Sequence, residues 1–247
     1  MSSAPAPRVE VHESRADLAT SVAGALLRLL TVHQDNGAVP QVALTGGTIA
    51  DEVHREVARL ASGSEVDWSR VAFFWGDERF VAADSEDRNA RQARTDLLEK
   101  VGVDPAHVHE VPSTADAPDV ETAATTYAET VRSAGSGRFA VVMLGVGPDG
   151  HVASLFPGFP QLDADDRIAI GVTGAPKPPP DRVSLTFSAL NRADEVWFVV
   201  SGADKAEAVG RALSTPPPDL HEIPAAGVHG EQATIWFLDR ESASRVP

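Results

Sequence analysis

Residues 139–158 read FAVVMLGVGPDGHVASLFPG, six apolar residues that break without transition into a glycine loop holding one acid and one histidine. Apolar side chains on successive residues suit a parallel strand buried on both faces, because a strand with one wet face alternates instead. Gly145, Gly147 and Gly150 permit tight turns, Pro148 fixes one φ, and Asp149 and His151 are the only ionisable groups of the segment. In open α/β sheets ligands collect beyond the carboxyl ends of the strands, where this loop falls.

Working outward, residues 42–44, 71–75, 196–200 and 235–238 are further short apolar runs, the last of them expected to close the sheet. Residues 8–12, 108–111, 168–172 and 182–186 read as weaker strands. Helical spacing covers residues 16–32, with Ser14 as a cap, and then 49–60, 89–101, 120–131 and a segment running through Val209 to Leu213. Gly135 and Gly137 mark the end of the fourth of these helices. Residues 175–180, APKPPP, read as a stiff extended connection. Strands alternating with helices predict an α/β fold with a doubly wound, mostly parallel sheet.

The spacing Gly145-x-Gly147-x-x-Gly150 after a strand matches the dinucleotide-binding fingerprint, but that loop should open a long helix. Here Pro157, Gly158 and Pro160 leave only residues 151–156, less than two turns. A nicotinamide or flavin site is therefore not expected.

The chain of 247 residues is 43% hydrophobic, enough for a sizeable core, and no break in composition argues against one domain over residues 1–247. It has no cysteine, so disulfides and thiolate metal sites are excluded, in keeping with a reducing cytoplasm. The N-terminal residues lack an apolar signal core, and no apolar run approaches the length of a membrane span. A formal charge of −15 with scattered cations argues against nucleic acid. An anionic substrate would need a local positive island, which singles out Arg79, Arg182 and Lys205.

Three further loops could supply that island. Thr45-Gly46-Gly47-Thr48 joins a buried strand to a helix N-terminus, an anion cradle of exposed N–H groups and hydroxyls; the plainer alternative is a turn capped by Thr48. Gly76-Asp77-Glu78-Arg79 sets three charges beyond a buried strand, costly unless they pair or meet a ligand. Ser201-Gly202-Ala203-Asp204-Lys205 puts a lysine where a helix starts, a place cations avoid unless an anion faces them. His107 and His109 would share one face of a strand, but no third ligand lies near them in sequence and no metal site is expected.

TGGT at 45–48, GDERFV at 76–81 with Asn89 downstream, LGVGPDGHVASLFPG at 144–158, APKPPPDRVSLT at 175–186 and SGADKA at 201–206 resemble the 6-phosphogluconolactonase family, in the family's order and over most of the chain. Two positions depart from the family pattern: Ala50 stands for a common proline and Arg88 for a serine before Asn89. The resemblance implies the three-layer α/β/α sandwich shared with glucosamine-6-phosphate deaminases and ribose-5-phosphate isomerases. It also implies cofactor-free hydrolysis of 6-phosphoglucono-δ-lactone to 6-phosphogluconate in the pentose phosphate pathway, with this small sugar-phosphate lactone as partner; a cytoplasmic monomer is expected.

On that reading His151 is the general base, its ordinary pKa suiting proton transfer near neutral pH, and Asp149 orients it or binds sugar hydroxyls. Thr45, Gly46, Gly47 and Thr48 with Arg79, Arg182 and Lys205 hold the phosphate. Asp77 and Asn89 flank them, Asp77 and Glu78 positioning Arg79 and its loop, and Gly147 lies beside the histidine. A related deaminase would carry a glutamate five places after the histidine, where this chain has Phe156. A non-catalytic sugar-phosphate sensor would have no need of His151 and Asp149.

Overall fold

The computed structural model describes residues 5–134 and 137–247; Gly135, one of the glycines expected to end a helix, lies outside them. The chain begins with β1 (Arg8–His12), α1 (Arg15–Asp35), β2 (Gln41–Leu44), α2 (Thr48–Ala61), β3 (Ala72–Trp75) and β4 (Asp77–Arg79). A helix follows as α3 (Asn89–Ala93), continues through a π turn at Arg94–Leu98 and ends as α4 (Glu99–Val101). Then come α5 (Val120–Ser133), β5 (Val141–Leu144), β6 (Ala169–Val172), β7 (Arg182–Leu185), α6 (Phe187–Leu190), β8 (Glu195–Val200), α7 (Ala206–Ala212) and β9 (Ala233–Asp239).

Six strands form one sheet in the order β1-β9-β8-β5-β2-β3, with every pairing parallel. The strand at residues 235–238 does not close this sheet, because β1 pairs outside it. β5 lies at the centre, and its successive side chains divide between two cores. Val142 and Leu144 face the cluster that includes Tyr127 of α5, whereas Val141 and Met143 face the cluster formed with α1 and α2. Both faces are therefore dry, and each such side chain contributes about 1.5–3 kcal/mol on burial. All four tryptophans, Trp68, Trp75, Trp197 and Trp236, are buried in these clusters. The hydroxyl of Tyr127 accepts from the Trp75 N–H at 2.8 Å and donates to the Trp75 carbonyl at 2.7 Å, pinning the end of edge strand β3.

Three features differ from the sequence expectation. A second, antiparallel sheet of order β4-β7-β6 packs over the main one, and the charged segment Asp77–Arg79 is one of its strands. Residues 108–111 form no strand: they make one parallel bridge, Phe73 to Val108, before Pro112 removes a donor. Residues 175–180 fold back rather than extend, the Ala175 N–H donating to the Pro180 carbonyl at 2.9 Å.

α1 is capped by Ser14, α5 by Asp119 and α6 by Thr186, each accepting a backbone N–H of the first turn. α2 has no side-chain cap. The buried face of α2 carries His54, 1% exposed, with neither ring nitrogen hydrogen-bonded among the described residues. Burial, with a smaller push from Arg55, lowers its pKa to about 4. Among the described residues no helix is long and apolar enough to cross a membrane.

Candidate active site

β5 delivers the central loop. The Gly147 N–H donates to the His151 carbonyl at 2.9 Å and the Gly150 N–H to the Gly147 carbonyl at 3.0 Å, closing a tight turn with Gly150 at φ 83°. No helix follows; residues 151–158 are turns and single bridges, with Ala153 at φ 49°. His151 folds back over Gly147 so closely that a Cβ there would lie 2.0 Å from its Nδ1, so only glycine fits. Nδ1 of His151 lies 2.5 Å from Oδ1 of Asp149, and the imidazole packs on Phe156 with ring centroids 4.7 Å apart. Burial raises the Asp149 carboxyl, but the hydrogen bond and charge of His151 outweigh it and hold the pKa at about 2. Asp149 is thus a carboxylate at neutral pH; in the neutral imidazole Nδ1 is its donor and Nε2 the acceptor, with no partner among the described residues.

β2 runs into the cradle. Gly47 stands at the N-cap position of α2 with φ 100°, and Thr48 is the first helical residue rather than a cap. The first-turn N–H groups of a helix with 14 residues are left facing outward with the positive end of its dipole. A Cβ on Gly46 would lie 1.8 Å from Oδ1 of Asn89, so this glycine makes room for a side chain from another element.

β4 supplies the charged wall. Glu78 is fully buried, and its carboxylate accepts the N–H groups of Arg79, Asn89 and Ala90, each at 2.8 Å, so it caps α3 from a neighbouring strand. Burial raises its pKa, opposed by Arg88 and by those backbone donors. Arg88 is itself only 1% exposed, donating to the Val111 carbonyl at 2.7 Å with its Nε 3.9 Å from Glu78. Nη1 of Arg79 donates to Oδ1 of Asn89 and to the Asp87 carbonyl, both at 2.7 Å, and Asn89 donates to the Asp77 carbonyl at 2.9 Å. Ser154 donates to the Asp77 carboxylate at 2.6 Å, which ties the loop of His151 to this wall.

These elements enclose one cavity of about 360 Å³. It is lined by Thr45, Gly46, Gly47, Thr48, Asp77, Arg79, Asn89, Gly147, His151, Arg182 and Lys205. Of the catalytic and substrate-binding residues expected from the sequence, Asp149 alone is off the lining, in contact with His151 at 2.5 Å. Arg182 faces Arg79 across the β4–β7 register, lies over the Phe156 ring at 5.7 Å, and has its pKa lowered by burial against the pull of Asp77. Lys205 ends a 3-10 turn just before α7 and pairs with Asp204 at 2.8 Å. Arg15 and Lys177 line the same cavity, bringing its cations to five with Arg79, Arg182 and Lys205. Sequence reasoning missed Arg15, which arrives from the far end of the chain, and read Lys177 only as part of the connection at 175–180.

Among the described residues no group of three or more histidine, aspartate or glutamate side chains could hold a metal ion. His107 and His109 part company: Nδ1 of His107 lies 2.8 Å from the Ser69 carbonyl, while His109 stacks on Phe74 at 4.6 Å.

Comparison with known proteins gives a consistent likeness. Residues 13–236 match the family model described as glucosamine-6-phosphate isomerases/6-phosphogluconolactonase. A 6-phosphogluconolactonase of Streptomyces coelicolor is 40% identical, with 98% of this chain and 95% of that protein covered. One from Mycobacterium leprae is also 40% identical, covering 94% of this chain and 96% of that protein. The crystal structure of 6-phosphogluconolactonase from Thermotoga maritima superposes with a TM-score of 0.82 at 28% identity, covering 95% of this chain and 100% of that one.

Proposed function

The chain belongs to the glucosamine-6-phosphate isomerase/6-phosphogluconolactonase family, and from that membership we propose that it hydrolyses 6-phosphoglucono-1,5-lactone to 6-phosphogluconate in the pentose phosphate pathway. The observation that carries the reading is the 2.5 Å contact of His151 with Asp149 at the wall of a cavity bearing five cations. A ring ester needs an activated water, somewhere for carbonyl charge to develop and a hold on the distant phosphate.

Asp149, ionised at neutral pH, keeps the proton of His151 on Nδ1, so Nε2 takes a proton from water as that water adds to the lactone carbonyl. The tetrahedral intermediate collapses by breaking the bond from C1 to the ring oxygen, which recovers the proton from the imidazolium as the C5 hydroxyl. The new carboxylic acid ionises in solution. The phosphate rests on Thr45, Gly46, Gly47 and Thr48, with Arg79, Arg182 and Lys205 around it. Asp77 and Asn89 keep Arg79 in place, and Gly147 gives His151 its room. No cofactor or metal is required by these steps.

Phe156 supports hydrolysis over the deaminase chemistry of relatives. The position where a ring-opening relay would need a carboxylate holds a 1% exposed aromatic ring against the imidazole. We take residues 1–247 to act as one domain, since both hydrophobic clusters share the six-stranded sheet, and the protein to act as a cytoplasmic monomer. The test is a lactonase assay on freshly generated substrate with the spontaneous rate subtracted. Hydrolysis well above background is expected; binding of 6-phosphogluconate without turnover would make the protein a sensor.

A further inference from the structure

Among the described residues Arg15 is the one cation of the cavity wall that comes from the N-terminal helix α1, all the others lying beyond residue 76. It is the first residue of α1, directly after the capping Ser14. A positive charge in the first turn of a helix of 21 residues opposes the dipole. Its compensation within the protein is thin. Nε of Arg15 lies 3.3 Å from Glu52 of α2, with side chains 43% and 30% exposed, a pairing that solvent weakens. Beyond that pair the Arg15 guanidinium makes no hydrogen bond among the described residues.

The tether has a direction. Glu52 follows Thr48 by four residues, so the two share one face of α2, and Arg15 is held within a turn of that helix's uncapped start. Arg15 lines the same cavity as Thr48, and its guanidinium is the planar fork suited to a phosphoryl group. We propose that Arg15 grips the phosphate of the substrate from α1 and helps to discriminate phosphorylated from unphosphorylated lactones. The inference rests on the lactonase reading for the identity of that substrate. The competing role, an ion pair that only fastens α1 to α2, makes a different pattern of variants.

Binding of 6-phosphogluconate and of inorganic phosphate is measured by titration calorimetry on the full chain, and turnover is assayed separately. Arg15→Gln is expected to weaken both ligands about three- to tenfold and to raise KM by the same factor with kcat within about twofold, as for one half-exposed charge-assisted contact. Arg15→Lys should recover part of the loss, and Glu52→Gln, which frees the guanidinium, should bind as tightly as the wild type or more so. Unchanged affinity in Arg15→Gln would overturn the proposal. Equal losses in Arg15→Gln and Glu52→Gln would overturn it too, by identifying a purely structural pair. A wild type that shows no turnover but loses phosphate affinity on Arg15→Gln would remove the lactonase reading and leave Arg15 a phosphate ligand.

Discussion

Gly46 and Gly147 stand just beyond adjacent strands, β2 and β5, and each makes room for one side chain that a Cβ would strike, Asn89 at 1.8 Å and His151 at 2.0 Å. Past that point the two loops diverge. The first enters a helix of 14 residues without a side-chain cap, so what it presents is backbone N–H and dipole. The second enters turns, and what it presents is the His151 and Asp149 side chains. Backbone donors hold a charge that persists through the reaction, whereas a base acts only on the attacking water. The first loop should govern affinity and the second the rate.

His151→Asn tests that division hardest. Asparagine keeps a polar outline but accepts no proton near neutral pH, so kcat should fall by about 10²–10⁴ while KM stays near the wild-type value. The acid limb of kcat/KM should vanish with it, once the enzyme-free rate at each pH is subtracted. A variant with near-full kcat and the same limb would break the comparison, and Asp149 would become the candidate base.

Acid should reach the cradle's helix through the buried His54. Its pKa in the folded protein is about 4 against 6.5 for an unhindered histidine, so between those values the unfolded chain takes up a proton that the folded one refuses. Stability is therefore full above pH 6.5, declines as the pH falls to 4, and at that point has lost about 3 kcal/mol from this group. Denaturant unfolding across that range should show the slope, and His54→Leu should flatten it. An unaltered slope in the variant would mean that other groups carry the acid sensitivity.

The smallest effect sharpens the binding side. Lys205→Ala should weaken 6-phosphogluconate about ten- to a hundredfold, or 1.5–3 kcal/mol, with kcat little changed, and added salt should narrow the gap because the side chain is partly exposed. Equal losses in kcat and affinity would place Lys205 with the chemistry rather than with the cradle.

The parts legible in the sequence are those where local composition and three-dimensional demand coincide. Gly46 and Gly147 stood out because only glycine survives their contacts, and the strands β2, β3, β5, β8 and β9 because their apolar runs serve two cores at once. The second sheet was not legible: Asp77–Arg79 has the charge of a loop, and Glu78 is tolerable in a strand only because Arg88 and three backbone donors surround it. Arg88, which the sequence presented as a departure at a loop edge, is buried support for that strand. Arg15 lay beyond reach for another reason, since its relation to Thr48 exists only after α1 and α2 have packed together.

The placement of the tryptophans has an optical consequence. Trp68, Trp75, Trp197 and Trp236 all sit in the two cores, and none lines the cavity among the described residues. Their emission should be blue-shifted in the native protein, indifferent to a sugar phosphate settling on the cradle, and strongly red-shifted when the sheet comes apart. Fluorescence would thus report the unfolding of a variant in the same cuvette in which its ligand is titrated, with no correction for occupancy.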